Sequence, residues 1–149
     1  MLRPLFLFAL TLLAAAAAPE PRAFVEGPYA LVSGDEDFCP SRPELAYEES
    51  AGTTALHLGP RFVFTDVGAD APAAITSDGC TQSYENKREP HRLEQRITAV
   101  CKDPAKSFVK RARLEWSHGV LIYSLETEGH KGARVCKYKP KKARNGGAK

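Results

Sequence analysis

The chain reads as an all-β domain, an antiparallel meander of about eight strands that closes into a barrel, with a β-sandwich as the alternative, stapled by disulfides. Three observations predict this. Turn-forming residues recur at short, regular intervals between runs rich in β-branched and aromatic residues. Residues 108 to 116 alternate in polarity with the two-residue period of a strand. Four cysteines follow an N-terminal apolar leader, which places them where disulfides form.

The leader has the three parts of a secretory signal: Arg3, an apolar run from Leu5 through Leu13, and small residues from Ala14 to Ala18. Cleavage is expected near Ala16 to Ala18, so residues 1–18 are set apart as a signal peptide and the mature chain should be secreted or periplasmic. The apolar run from Leu5 to Ala18 is 14 residues long. A spanning helix needs roughly 18 to 20. No later stretch is apolar enough to span a bilayer, so no transmembrane segment is expected after cleavage. The remainder is read as a single β domain, 24–140, and a basic tail, 141–149, with order expected to be lost from Pro140 onward.

The elements follow from the turn signals in order. Gly27-Pro28 leads into Tyr29 to Val32, which Ser33-Gly34-Asp35-Glu36-Asp37 stops. Leu45 to Glu49 and Thr53 to Leu58 flank the hairpin turn Ser50-Ala51-Gly52. Gly59-Pro60 precedes Arg61 to Thr65, and Gly68 to Pro72 is a loop. Ile75 to Tyr84 and Leu93 to Cys101 are the arms of a hairpin turning at Pro90 and His91. Asp103-Pro104 breaks the chain before Phe108 to Trp116. Ser117-His118-Gly119 turns it into Val120 to Leu125, and Gly129 to Gly132 turns it again into Arg134 to Tyr138.

Two segments need comment. Leu93, Ile97 and Val100 recur at helical spacing, whereas Leu93, Ile97, Ala99 and Cys101 fit alternation; the β-branched Ile97, Thr98 and Val100 favour the strand. In the next arm Phe108, Ala112, Leu114 and Trp116 share one face, and Val109, Arg111, Arg113 and Glu115 the other. Lys110 interrupts the apolar face, as a residue near a rim would.

Four cysteines allow three pairings. Symmetry about Pro90 and His91 sets Cys80 opposite Cys101, which leaves Cys39 to pair with Cys136. A Cys101–Cys136 pairing about His118-Gly119 ranks lower, because other turns interrupt both arms. Zinc is the functional alternative, but no two cysteines have the close spacing of a zinc site and secretion disfavours thiolate ligands.

A barrel interior is either filled or holds one small ligand. Phe62 or Phe64, Phe108, Trp116 and Tyr123 are the candidate lining for a small apolar ligand; as plain core they need none. Gly27-Pro28-Tyr29 is similar to the Gly-x-Trp opening of the lipocalins, secreted ligand-carrying barrels. The likeness covers three residues, tyrosine replaces the tryptophan, and no second lipocalin motif follows. It implies a carrier without assigning membership.

The formal net charge of +3 conceals an asymmetry. Residues 19 to 60 carry eight acidic and two basic side chains, residues 86 to 149 six acidic and 17 basic. Arg111 and Arg113, joined by Arg96 from the neighbouring strand, form a candidate anion-binding face for an anionic envelope component such as lipid head groups or an acidic polymer. The tail from Lys137 holds six basic residues and no acidic one. No aromatic platform or recognition module accompanies it, so nucleic acid is not an expected partner.

No catalytic, cofactor or metal site is expected. The four histidines lack paired spacing, and no nucleophile elbow, zinc-protease helix or phosphate loop is present. Ser117-His118 reads as part of a hairpin turn and Asp35-Glu36-Asp37 as an acidic surface loop. Two functions remain. The preferred one is a non-enzymatic interaction or inhibitor-type module that meets a protein or an anionic envelope component through loops and charged faces. The alternative is a lipocalin-like carrier of a small apolar ligand.

Overall fold

The computed structural model describes residues 23–69 and 73–142; the signal assigned to residues 1–18 and the tail from 143 onward lie outside them. The described residues form ten strands: β1 (Gly27–Ser33), β2 (Glu44–Ser50), β3 (Thr53–Leu58), β4 (Phe62–Phe64), β5 (Ala73–Ser77), β6 (Cys80–Glu89), β7 (Arg92–Cys101), β8 (Phe108–Ser117), β9 (Val120–Thr127) and β10 (Arg134–Pro140). One 3-10 turn, Pro104–Lys106, is capped by the Asp103 carboxylate, which accepts the Ala105 N–H. Pro140 still belongs to β10 and lies opposite Tyr29, so order extends past the point expected from its sequence.

All pairings are antiparallel, in the order β4-β3-β2-β1-β10-β9-β8-β7-β6-β5. The ends of this sheet, β4 and β5, are not paired, so the expected barrel is not closed. β4 has only three residues, and the turn after it, where Asp66 takes a φ of +50°, carries the chain away before a ladder can extend. The sandwich alternative is compatible with what is seen. β1 joins the two halves by pairing with β2 through Gly27 and Pro28 and with β10 through Tyr29 to Ser33, with a register shift between Leu31 and Ser33. A strand that changes partners at a bulge is how a sheet turns a corner.

One expected strand is divided differently, and the ambiguous one is settled. The arm read as Ile75 to Tyr84 is two strands, separated by Asp78-Gly79, both at positive φ. That is the mirror-image turn matching the twist of a tight hairpin. Ala51-Gly52 and His118-Gly119 repeat it, each preceded by serine, as Asp78 is. The ambiguous segment is β7: Val100 is 64% exposed, so the helical repeat of Leu93, Ile97 and Val100 marks no buried face, while Leu93, Gln95 and Ala99 do.

The inner face carries the core. Leu45, Leu56 and Leu58 from β2 and β3 and Phe62 and Phe64 from β4 are buried with Leu93, Leu114, Leu121, Tyr123 and Tyr138 from the opposite half. Where the sheet edge is unpaired, side chains close the gap. Gln95, fully buried, donates to the Thr65 carbonyl at 2.7 Å and to Asn86 Oδ1 at 2.8 Å and accepts the Thr65 N–H at 3.3 Å. Asn86 donates in turn to the carbonyls of Thr65 and Asp66. Every polar atom of the Gln95 amide that needs a partner there finds one, which is the condition for burying it.

Cys39 is bonded to Cys136 and Cys80 to Cys101. The first bond lies against Gly34, where an added Cβ would sit 2.5 Å from Cys39 Sγ. Only glycine admits the sulfur there, and its φ of +146° adds the same requirement. The second joins directly opposed residues of β6 and β7.

Candidate functional site

The five aromatic residues that the sequence offers as a ligand lining do not surround one space. Phe62 and Tyr123 stack at 3.9 Å between ring centroids, and Phe64 meets Tyr123 edge-on at 6.1 Å. Phe38, from the loop after β1, covers the stack at 5.1 Å from Phe62. Trp116 lies elsewhere, edge-on to Tyr29 at 6.4 Å, and Phe108 carries the Lys110 ammonium over its ring at 4.4 Å. Burial also acts on the phenols: it raises Tyr123 above the ordinary tyrosine range and pushes Tyr138 up to about 12. The Tyr138 hydroxyl is buried without a protein hydrogen-bond partner among the described residues.

The opposite face of β6 to β9 is charged, and strand register arranges it in rows. Glu85, Arg96, Arg111 and Glu126 lie side by side across the four strands; Lys87, Glu94, Arg113 and Ser124 form the next row. Arg96, Arg111 and Arg113 are thus brought together on one face. Glu94 is the hub of this arrangement. Its Oε2 accepts from Arg92 at 2.9 Å and from Arg113 at 3.1 and 3.2 Å, and its Oε1 lies 3.2 Å from Arg111 Nε. Partial burial of this carboxylate works against ionisation, but the hydrogen bonds from Arg92 and Arg113 and the charges of Arg113 and Arg111 outweigh it and hold Glu94 below the usual carboxylate range. Arg111 also reaches Glu126 at 3.6 Å.

Arg113 and Arg111 therefore already hold carboxylates, and the face is not the open cationic patch that a list of arginines suggests. Arg96 differs. It stands between Glu85 on β6 and a second arginine on β8, and among the described residues its guanidinium forms no ion pair or hydrogen bond. Like charges directly opposed on neighbouring strands destabilise a sheet.

Two clefts meet at this pair. The larger, about 630 Å³, runs from Arg96 and Arg111 past Val109 and Lys110 to the β9–β10 loop, where Glu128, His130 and Gly132 form its far wall. The smaller, about 200 Å³, lies on the other side between β6 and β8 and includes Glu85, Lys87 and Glu94. Both are open, and both include Arg96 and Arg111. None of the five aromatic residues lines either cleft.

The remaining sequence features are local. Ser117 Oγ and His118 Nδ1 lie 2.9 Å apart on an exposed turn that borders neither cleft. Asp35 accepts the Asp37 N–H at 3.0 Å, an Asx turn, and no group of three or more metal-ligating side chains is found among the described residues. No described helix is long and apolar enough to cross a membrane. Glu94, Glu126 and the β9–β10 loop belong to the site although no motif marks them. The two-residue alternation places Glu94 on the face of Arg92 and Arg96, but its contact with Arg111 and Arg113 depends on register. The chain matches no family model, no curated protein and no solved structure.

Proposed function

We propose that the chain is a secreted or periplasmic, non-enzymatic interaction module that meets its partner through the charged face of β6 to β9 and the adjoining β9–β10 loop. The observation that carries this reading is the pairing of a filled interior with an open, charged exterior. Of the aromatic rings available to hold a ligand, Phe62 and Phe64 pack on Tyr123, at 3.9 Å for Phe62, Trp116 packs on Tyr29 and Phe108 lies under Lys110, while both clefts open on the side where Arg96 and Arg111 stand. Two disulfides hold the scaffold, and a surface fixed in advance loses less entropy on binding.

The test is native mass spectrometry of the mature protein isolated from an oxidising compartment without detergent, compared with its denatured mass. The expected result is the polypeptide mass less four hydrogens, with no bound species. A co-purifying apolar molecule lost on denaturation overturns the reading in favour of a lipocalin-like carrier.

A further inference from the structure

Deepening this reading, we infer that the Arg96–Arg111 pair is the anion-gripping point of a groove for an acidic polysaccharide, with a carboxylate or sulfate of the sugar chain bridging the two guanidiniums. Three observations lead there. The row Glu85, Arg96, Arg111, Glu126 sets two like charges side by side; Glu126 at the end of the row and Glu94 from the next row pair with Arg111, whereas Arg96, with Glu85 opposite it on β6, forms no ion pair among the described residues. An oxyanion placed between the two guanidiniums removes the repulsion and satisfies Arg96, the planar geometry in which arginine binds such groups best. The destabilising pair thus has a use that the folded chain does not itself supply.

The second observation concerns shape. Clefts of about 630 and 200 Å³ flank the pair on both sides and share it, as a track for an extended chain would, whereas an isolated ion needs one pocket.

The third is the chemistry along the track. Lys87 lies on one side of the arginines and Lys110 on the other, but Glu85, Glu126 and Glu128 alternate with them. Carboxylates repel the closely spaced phosphates of a nucleic acid, and no phenylalanine, tyrosine or tryptophan lines either cleft for bases to stack on. Sugar hydroxyls, in contrast, donate to carboxylates, so a polymer that alternates hydroxyls with well-separated anions matches the wall.

Affinity electrophoresis of the mature, disulfide-bonded protein tests this in gels containing polygalacturonate, dextran sulfate or neutral dextran, with cosedimentation on phosphatidylglycerol vesicles alongside. The variants are Arg96→Gln, which breaks no ion pair, and Lys139→Gln on β10, which removes the same charge outside both clefts. Retardation by one or both acidic polymers but not by neutral dextran is expected, with the two anionic gels distinguishing carboxylate from sulfate. Arg96→Gln should weaken the retardation by about tenfold or more and Lys139→Gln by less than twofold, with thermal unfolding of both close to that of the parent. Equal weakening by the two variants, binding to vesicles without binding to either polymer, or no retardation at all overturns the inference. The first of these outcomes, or the last with a cargo-free native mass, removes the subsite and leaves the interaction-module reading standing.

Discussion

At the residue scale the charged face is organised by a single carboxylate. Glu94 neutralises three arginines that would otherwise repel one another, so its removal both costs stability and frees cations. Glu94→Gln should lower stability by about 1 to 3 kcal/mol at neutral pH, the size of a lost charge-assisted hydrogen bond. In the same protein, retardation by acidic polymers should increase, because Arg111 and Arg113 lose their shared partner. The pH dependence follows from the direction of the Glu94 shift. Its folded-state pKa lies below the unfolded value, so the stabilisation is complete above the unfolded carboxylate range and disappears as pH falls through the folded value. Urea unfolding at pH 7 and at pH 3 checks this: the gap between parent and Glu94→Gln should be full at pH 7 and clearly narrower at pH 3. An equal gap at both values would show that Glu94 does not act through its charge.

At the scale of elements, local chemistry was legible where a turn or an alternation carries it. The alternation of residues 108 to 116 reads directly as β8, and Lys110, which interrupts its apolar face, sets its ammonium over the Phe108 ring and lines the larger cleft. Asp78-Gly79 carries an equally strong hairpin signal, which a reading of Ile75 to Tyr84 as one arm about Pro90 passes over. The site itself was half legible. Period two brings Arg111 and Arg113 to one face, but which carboxylate neutralises which arginine depends on the register of β7 against β8, and sequence periodicity does not set register. Gln95 is illegible for a related reason: a glutamine between Glu94 and Arg96 looks solvated, and while its partner Asn86 stands directly opposite on β6, its other partner Thr65 follows β4 at the far end of the sheet. Gln95→Ala should therefore be severe for a polar residue, destabilising by about 2 to 4 kcal/mol, since it leaves the Thr65 N–H and Asn86 Oδ1 without their partner beside the core, while the Thr65 carbonyl keeps Asn86. Chemical denaturation measures the loss, and hydrogen exchange should show it concentrated at residues 64 to 66. A change below about 0.5 kcal/mol would mean that the gap is wet and the amide merely fills space.

At the scale of the whole molecule the question is what holds an unclosed sheet in a unique shape. A barrel has no free ends, and its ladder alone fixes the curvature; here β4 and β5 are unpaired with each other and the curvature is imposed by other means. The Gln95 and Asn86 amides fasten one end. The Cys39–Cys136 bond fastens the middle, tying the loop after β1 to β10 across a separation of 97 residues. Cys80–Cys101, with a separation of 21, only reinforces a hairpin already held by its own ladder. The two bonds are therefore unequal. In the chain-entropy account, whose mechanism is model-dependent, losing the long loop costs about 4.7 kcal/mol and losing the short one about 3.3. Structure widens the difference, because Cys39 and Cys136 are buried against Gly34 and leave a cavity when truncated, whereas Cys80 and Cys101 are partly exposed. Thermal unfolding of the paired variants Cys39→Ala with Cys136→Ala, and Cys80→Ala with Cys101→Ala, should show the first pair losing its cooperative transition or melting far below the second. The second pair should stay folded and retain its affinity for acidic polymers, because the clefts are built on β6 to β9 away from that bond. If both pairs melt alike, the curvature resides in the side-chain packing of β4 on β9 rather than in the covalent tie.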